Sequence, residues 1–123
     1  MPKTRVLFVD DEPSIRATLP LILGLHGFEV TAAKGLGFTS VPEGSNTQAI
    51  LHKLGMEAYA ASRKADALVM SCGALRTLDV IVPLEKEIAA PVVSSTPHGL
   101  MNGVRMLGVN PRVQGFGMVF AKA

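Results

Sequence analysis

Four short apolar runs recur along the chain, each separated from the next by residues with helical periodicity, and this alternation limits the chain to few folds. The runs are "RVLFV" (5–9), "FEVTAA" (28–33), "DALVMSC" (66–72) and "PVVSST" (91–96). Each is short and rich in β-branched or apolar residues, as strands buried in a sheet require. Parallel neighbours need a crossover of a dozen residues or more, which the intervening stretches provide. Right-handed crossovers then leave a handful of topologies. The expectation is a flavodoxin-like three-layer α-β-α domain with a parallel sheet of four to five strands, order 2-1-3-4-5. "GMVFAK" (117–122) is the candidate fifth strand. At 123 residues the chain has the size of one domain with a core of its own.

The helical stretches carry their own signals. After the first strand, Asp11 is placed to cap and Pro13 suits a first turn. Ile15, Leu19, Ile22 and Leu23 share one face, Gly27 suits the stop, and Pro20 should bend the helix. Ile50, Leu54 and Ala58 are the expected inward positions of the second helix. Leu75, Leu78 and Val82 are those of the third, over 75–89, where Pro83 should bend or split it. Leu100, Val104 and Leu107 are those of the fourth, over 98–109. The methionines at 56, 70, 101, 106 and 118 read as core filler. Residues 34–47, "KGLGFTSVPEGSNT", form the clearest compositional break and read as a loop.

Composition narrows the function. Net charge is +2 with both signs dispersed, and there is no Trp and one Tyr, so a nucleic-acid partner is not indicated. No apolar run reaches the length of a membrane span. The N-terminus lacks the pattern of a signal peptide, and one cysteine excludes an internal disulfide. A cytoplasmic setting is the simplest fit. His26, His52 and His98 show no ligand spacing, and His98 reads as a polar residue at a helix start.

In such a fold, sites gather at the carboxyl ends of the strands. Asp10 and Asp11 stand there, as do Ser71, Cys72, Gly73 and Ala74 after strand 3, and Ser95 and Thr96 after strand 4. Residues 1–33, "RVLFVDDEPSIRATLPLILGLHGFEVTAA" and its lead-in, resemble the opening of bacterial response-regulator (CheY-like) receiver domains. That resemblance implies Mg²⁺ ligation by Asp10 and Asp11, with Thr96 and Lys122 completing a phosphorylation site. The acceptor aspartate is missing, because Ser71 stands in its place. No phosphoacceptor is therefore expected, and the acid pair reads as a vestige that binds Mg²⁺ weakly at most, with Asp11 kept as a helix cap. No other cofactor is expected.

From about residue 34 onward the chain resembles the aspartate/glutamate racemase superfamily, nearest the branch of maleate cis–trans isomerase and arylmalonate decarboxylase. The motifs are "SCGALRTLD", "PVVSSTPHGLMNGVRMLGV" and "RVQGFGMVF". The resemblance implies that Cys72 descends from a catalytic proton donor. It also implies an anion or oxyanion pocket formed by Ser71, Gly73, Ala74, Ser95 and Thr96. That superfamily sets two such domains face to face, and this chain has the length of one.

The economical account is then an engineered chimera, receiver-like over 1–33 and racemase-like over 34–123, with no evolved activity and no native partner. Self-association into a homodimer is the one assembly its apolar surface suggests. The alternatives are a cofactor-independent isomerase, racemase or decarboxylase half-site on Cys72, and a phosphorelay module lacking its acceptor.

Overall fold

The computed structural model describes residues 3–10, 12–35, 48–71 and 76–122. Among them lie four parallel strands, β1 (Thr4–Val9), β2 (Phe28–Lys34), β3 (Ala67–Met70) and β4 (Val92–Ser94), in the order β2-β1-β3-β4. The helices are α1 (Pro13–Leu25), α2 (Gln48–Ala61), α3 (Leu78–Ile88), α4 (Ser95–Met106) and α5 (Met118–Lys122). The flavodoxin-like arrangement is therefore present with strand order 2-1-3-4. No helix among the described residues is long and apolar enough to cross a membrane.

Successive strand residues point to opposite faces of a sheet. Leu7 and Val9 of β1 join Leu68, Met70 and Val92 in a core with α2 and α3. Leu51, Leu54 and Ala58 of α2 and Val80, Ile81, Leu84 and Ile88 of α3 complete it. Each large aliphatic side chain so buried contributes about 1.5–3 kcal/mol relative to exposure. Val6 and Phe8 are buried outside that cluster, on the alternate positions of β1.

Several expected faces are corrected. Helix α1 has no buried residue, although it packs against β2 and β1; Leu21 and Leu25 are 71% and 85% exposed. Its assigned span runs unbroken past Pro20. In α3 the buried stripe is Val80, Ile81, Leu84, Glu85 and Ile88, while Leu78 is exposed. Leu75 lies outside the described residues, and Pro83 sits within an unbroken helix. In α4 the buried residues are His98 and Met101, and Leu100, Val104 and Leu107 are exposed. That helix begins at Ser95, three residues earlier than its periodicity suggests. Met106 and Met118 are exposed rather than core.

The candidate fifth strand over 117–122 is helix α5 instead. Glu85 is the reason. It sits on the apolar stripe of α3, only 6% exposed. Its Oε2 accepts the Met118 N–H at 2.9 Å and its Oε1 accepts the Val92 N–H at 3.0 Å. One carboxylate thus ties the start of β4 to the start of α5. A β-carbon on Gly117 would lie 2.6 Å from Ile81 Cγ2, and its φ of +109° is one that L residues rarely adopt. Glycine is required there for the segment to reach Glu85.

Ala89 ends α3 in the left-handed region at φ +53°. Ala89→Gly should raise stability by about 0.5–1 kcal/mol, because this cap conformation favours glycine. Gly117→Ala should lower it by about 1–3 kcal/mol. Urea midpoints at constant slope check both.

Candidate functional site

The carboxyl edge of the sheet sets Asp10, Ser71 and Ser94 at the ends of three neighbouring strands. Val9 pairs with Met70, and Met70 with Ser94. The Ser71 N–H donates to Val9 O at 2.8 Å, and the Asp10 N–H donates to Lys34 O at 3.1 Å. The end of β3 is therefore held between β1 and β4, at the middle of the edge.

Asp10 is buried, with 3% exposure. Its Oδ1 accepts the Glu12 N–H at 2.8 Å, while its carbonyl accepts Arg16 Nη1 at 2.8 Å. Glu12 occupies the cap position of α1 without a side-chain cap bond. The Asp10 carboxylate thus serves the helix start; Asp11, the expected cap, lies outside the described residues. Gly35 lies against this cluster: a β-carbon there would collide with the Arg16 guanidinium and the Asp10 carbonyl. Among the described residues no group of three His, Cys, Asp or Glu side chains could hold a metal ion. The sequence-based metal pair therefore contributes one described carboxylate, already bonded to backbone.

On the other side of β3, two helices begin with hydroxyl residues. Thr77 is the cap residue of α3 and Ser94 that of α4, yet neither hydroxyl caps its own helix. Thr77 Oγ1 and Ser94 Oγ instead share a hydrogen bond with each other. Thr77 is 2% exposed and Ser94 1%. Behind them lies His98, buried at 8% exposure, with its ring 4.8 Å from that of Phe120. Its Nδ1 accepts the Ser94 N–H at 2.8 Å. This places the ring proton on Nε2, which is buried without a hydrogen-bond partner among the described residues. Burial pushes the His98 pKa below its ordinary value of 6.5; the Ser94 backbone and Glu85 oppose that shift without cancelling it.

The remaining expected residues separate. Ser95 and Thr96 are exposed in the first turn of α4, not in a strand. Thr96 lines a groove of about 450 Å³ with Arg76, Thr77, Asp79 and Leu100. This groove shares Leu78, Pro97 and Leu100 with an apolar one of about 460 Å³ reaching Val113, Phe116 and Phe120. Lys122 ends α5. Cys72, Gly73 and Ala74 lie outside the described residues, though their flanks, Ser71 and Thr77, are fixed as above. Sequence reasoning passed over Thr77 and Glu85. The available signal for Glu85 was a charged residue on an apolar stripe, at the i+4 position from Ile81.

A family model described as arylmalonate decarboxylase matches residues 10–120. Arylmalonate decarboxylase of Bordetella bronchiseptica is 32% identical over 115 residues, which is 92% of this chain and 47% of that protein. A crystal structure of arylmalonate decarboxylase superposes with a TM-score of 0.88 at 31% identity, covering 98% of this chain and 54% of that one. A cysteine-for-glycine mutant in the sulfate-associated form gives 0.86 at 31% identity, covering 94% and 51%. The chain thus spans about half the length of these relatives. One match runs across the join expected near residue 33, so neither a chimera of synthetic origin nor a receiver part is supported. The opening resembled a receiver because a β-α-β unit with a cap acid at the strand end meets the same physical demands in any such sheet.

Thr77→Val should cost about 1–3 kcal/mol by leaving the buried Ser94 hydroxyl unpaired. The Thr77→Val/Ser94→Ala double variant should cost less than the sum of the singles, read from urea melts as a double-mutant cycle. Because His98 binds its proton less readily when folded, its share of stability is complete above pH 6.5 and declines as pH falls from there toward the folded value. The wild-type minus His98→Asn difference in urea midpoint, followed from pH 8 to 5, measures this.

Proposed function

The chain belongs to the arylmalonate decarboxylase family, and from that premise we propose that it carries the cysteine-bearing half of a cofactor-independent site for proton transfer beside a carboxylate. Decarboxylation, racemisation and isomerisation of that kind share one demand. A carbanion adjacent to a carboxylate must be stabilised as its enediolate and then protonated on one face. In the decarboxylase case the bond between Cα and the departing carboxylate breaks, and its electron pair enters the enediolate as CO₂ leaves. The Cys72 thiol then gives its proton to Cα, and the resulting thiolate regains a proton from water. A positioned general acid contributes about 10²–10⁴ in rate.

The single observation that carries this reading is the family match running through residues 71–77 while the described ends of that stretch are fixed. Ser71 is tied to β1 and Thr77 to β4. The end of β3 from which that segment departs lies at the middle of the sheet edge, between β1 and β4, and α4 begins at the neighbouring strand end. Backbone N–H groups of a helix start suit the developing oxyanion. Ser71, Gly73, Ala74, Ser95 and Thr96 are the proposed anion-facing residues. The partner half is proposed to come from a second copy of the chain, a reading supported by exposed Leu21 and Leu25 on α1 and Leu100 on α4.

Incubating the protein with an arylmalonate in D₂O tests the reading. CO₂ release with deuterium at Cα is expected, with a rate per chain that rises with protein concentration. Cys72→Ala should lose at least about 100-fold, and one equivalent of a thiol alkylator should do the same, since Cys72 is the sole cysteine. Undiminished turnover in Cys72→Ala would falsify the assignment.

A further inference from the structure

We propose that His98 is a positioning residue of the strand-end site: it binds the Ser94 N–H so that the Ser94 hydroxyl stays on Thr77, and its protonation releases that anchor. The inference takes the reading of segment 71–77 above as its setting but is argued from the geometry of α3, β4 and α4.

A serine before a helix ordinarily turns its hydroxyl back onto the N–H groups of the first turn. In a capping box, a Glu or Gln three residues on reaches back to the N–H of the cap residue itself. Here the residue three beyond Ser94 is Pro97, which cannot serve. His98 follows it, and its Nδ1 takes the Ser94 N–H at 2.8 Å. The Ser94 hydroxyl is thereby free to face Thr77, the residue that starts α3. The connection runs from α4 through the end of β4 to the head of α3.

This contact requires a neutral ring. A protonated Nδ1 is a donor and cannot accept from the Ser94 N–H. The ring can then turn only to the Ser94 carbonyl, 3.1 Å away, an oxygen that already accepts the first bond of the helix. The Ser94 N–H is left without an acceptor in a buried setting, which is unfavourable until Ser94 shifts to find one. That shift draws its hydroxyl from Thr77. The groups around the ring are Ser94 of β4, Phe120 of α5 and, as the charged neighbour among the described residues, Glu85 of α3. Glu85 favours the protonated ring, and burial outweighs it.

The test is a pH series of ¹H–¹⁵N spectra on the full chain, with the His98 ring followed in parallel. In the wild type, the Ser94 and Thr77 amides should shift together with the ring, with a midpoint below 6.5. His98→Asn sets an Oδ1 near the Nδ1 position and carries no titrating ring. It should keep the wild-type amide positions of Ser94 and Thr77 and lose the step. Ser94→Ala should keep the step at residue 94 and lose it at Thr77. A ring that titrates without moving the two amides overturns the proposal, as does a step that survives in His98→Asn or a Thr77 step that survives in Ser94→Ala. The wild-type series decides the matter even if a variant fails to fold. No turnover enters the readout, so the anchor and the decarboxylase-type reading stand or fall separately.

Discussion

Two helices of this protein begin by giving their cap hydroxyls to each other. Thr77 and Ser94 each stand where a side chain would normally satisfy the first N–H groups of its own helix, and each is buried against the other instead. The bond fixes the head of α3 to the end of β4 across the carboxyl edge of the sheet. Everything proposed for the edge depends on it, because the segment 71–77 has one end tied to β1 and the other held by this bond.

The arrangement shifts the burden of satisfying helix starts onto other side chains. At α4 the work falls to His98, which reaches back to the Ser94 N–H. At α1 it falls to Asp10, which lies before the helix and serves the Glu12 N–H. At α5 it falls to Glu85, which comes from a different element altogether. Buried polar groups cost little when paired and about 1–3 kcal/mol when not. Each of these residues is therefore structural in the first instance. The pairing with Thr77 fixes Ser94 at the end of β4, from which the exposed Ser95 and Thr96 begin α4.

The strand ends were legible in the sequence and their chemistry was not. "VLFVDDEP" announces a strand followed by acids and a helix start, and Asp10 is found there. That Asp10 is buried and turns its carboxylate onto the Glu12 N–H depends on how the chain leaves the strand, which the acid pair alone does not show. His98 was visible but read only as a polar residue at a helix start, because nothing local shows that α5 folds back to lay Phe120 on its ring. Leu78 and Val82 fit a helical face as well as Val80, Ile81 and Leu84 do. Only contact with α2 and the sheet selects between two such faces.

By itself the sequence determined the parallel sheet, because apolar strands spaced by helical crossovers admit few right-handed solutions. It also determined where a site belongs, since such sheets present their loops at one edge. Tertiary structure alone decided that 118–122 is helix, because the acceptor for its first N–H is Glu85, 33 residues away. It alone decided that the Thr77 and Ser94 hydroxyls face each other, because they lie 17 residues apart and meet only when β4 is laid beside β3. Periodicity describes a residue relative to its own element. Which long-range partner satisfies a buried polar group is fixed only when the elements meet.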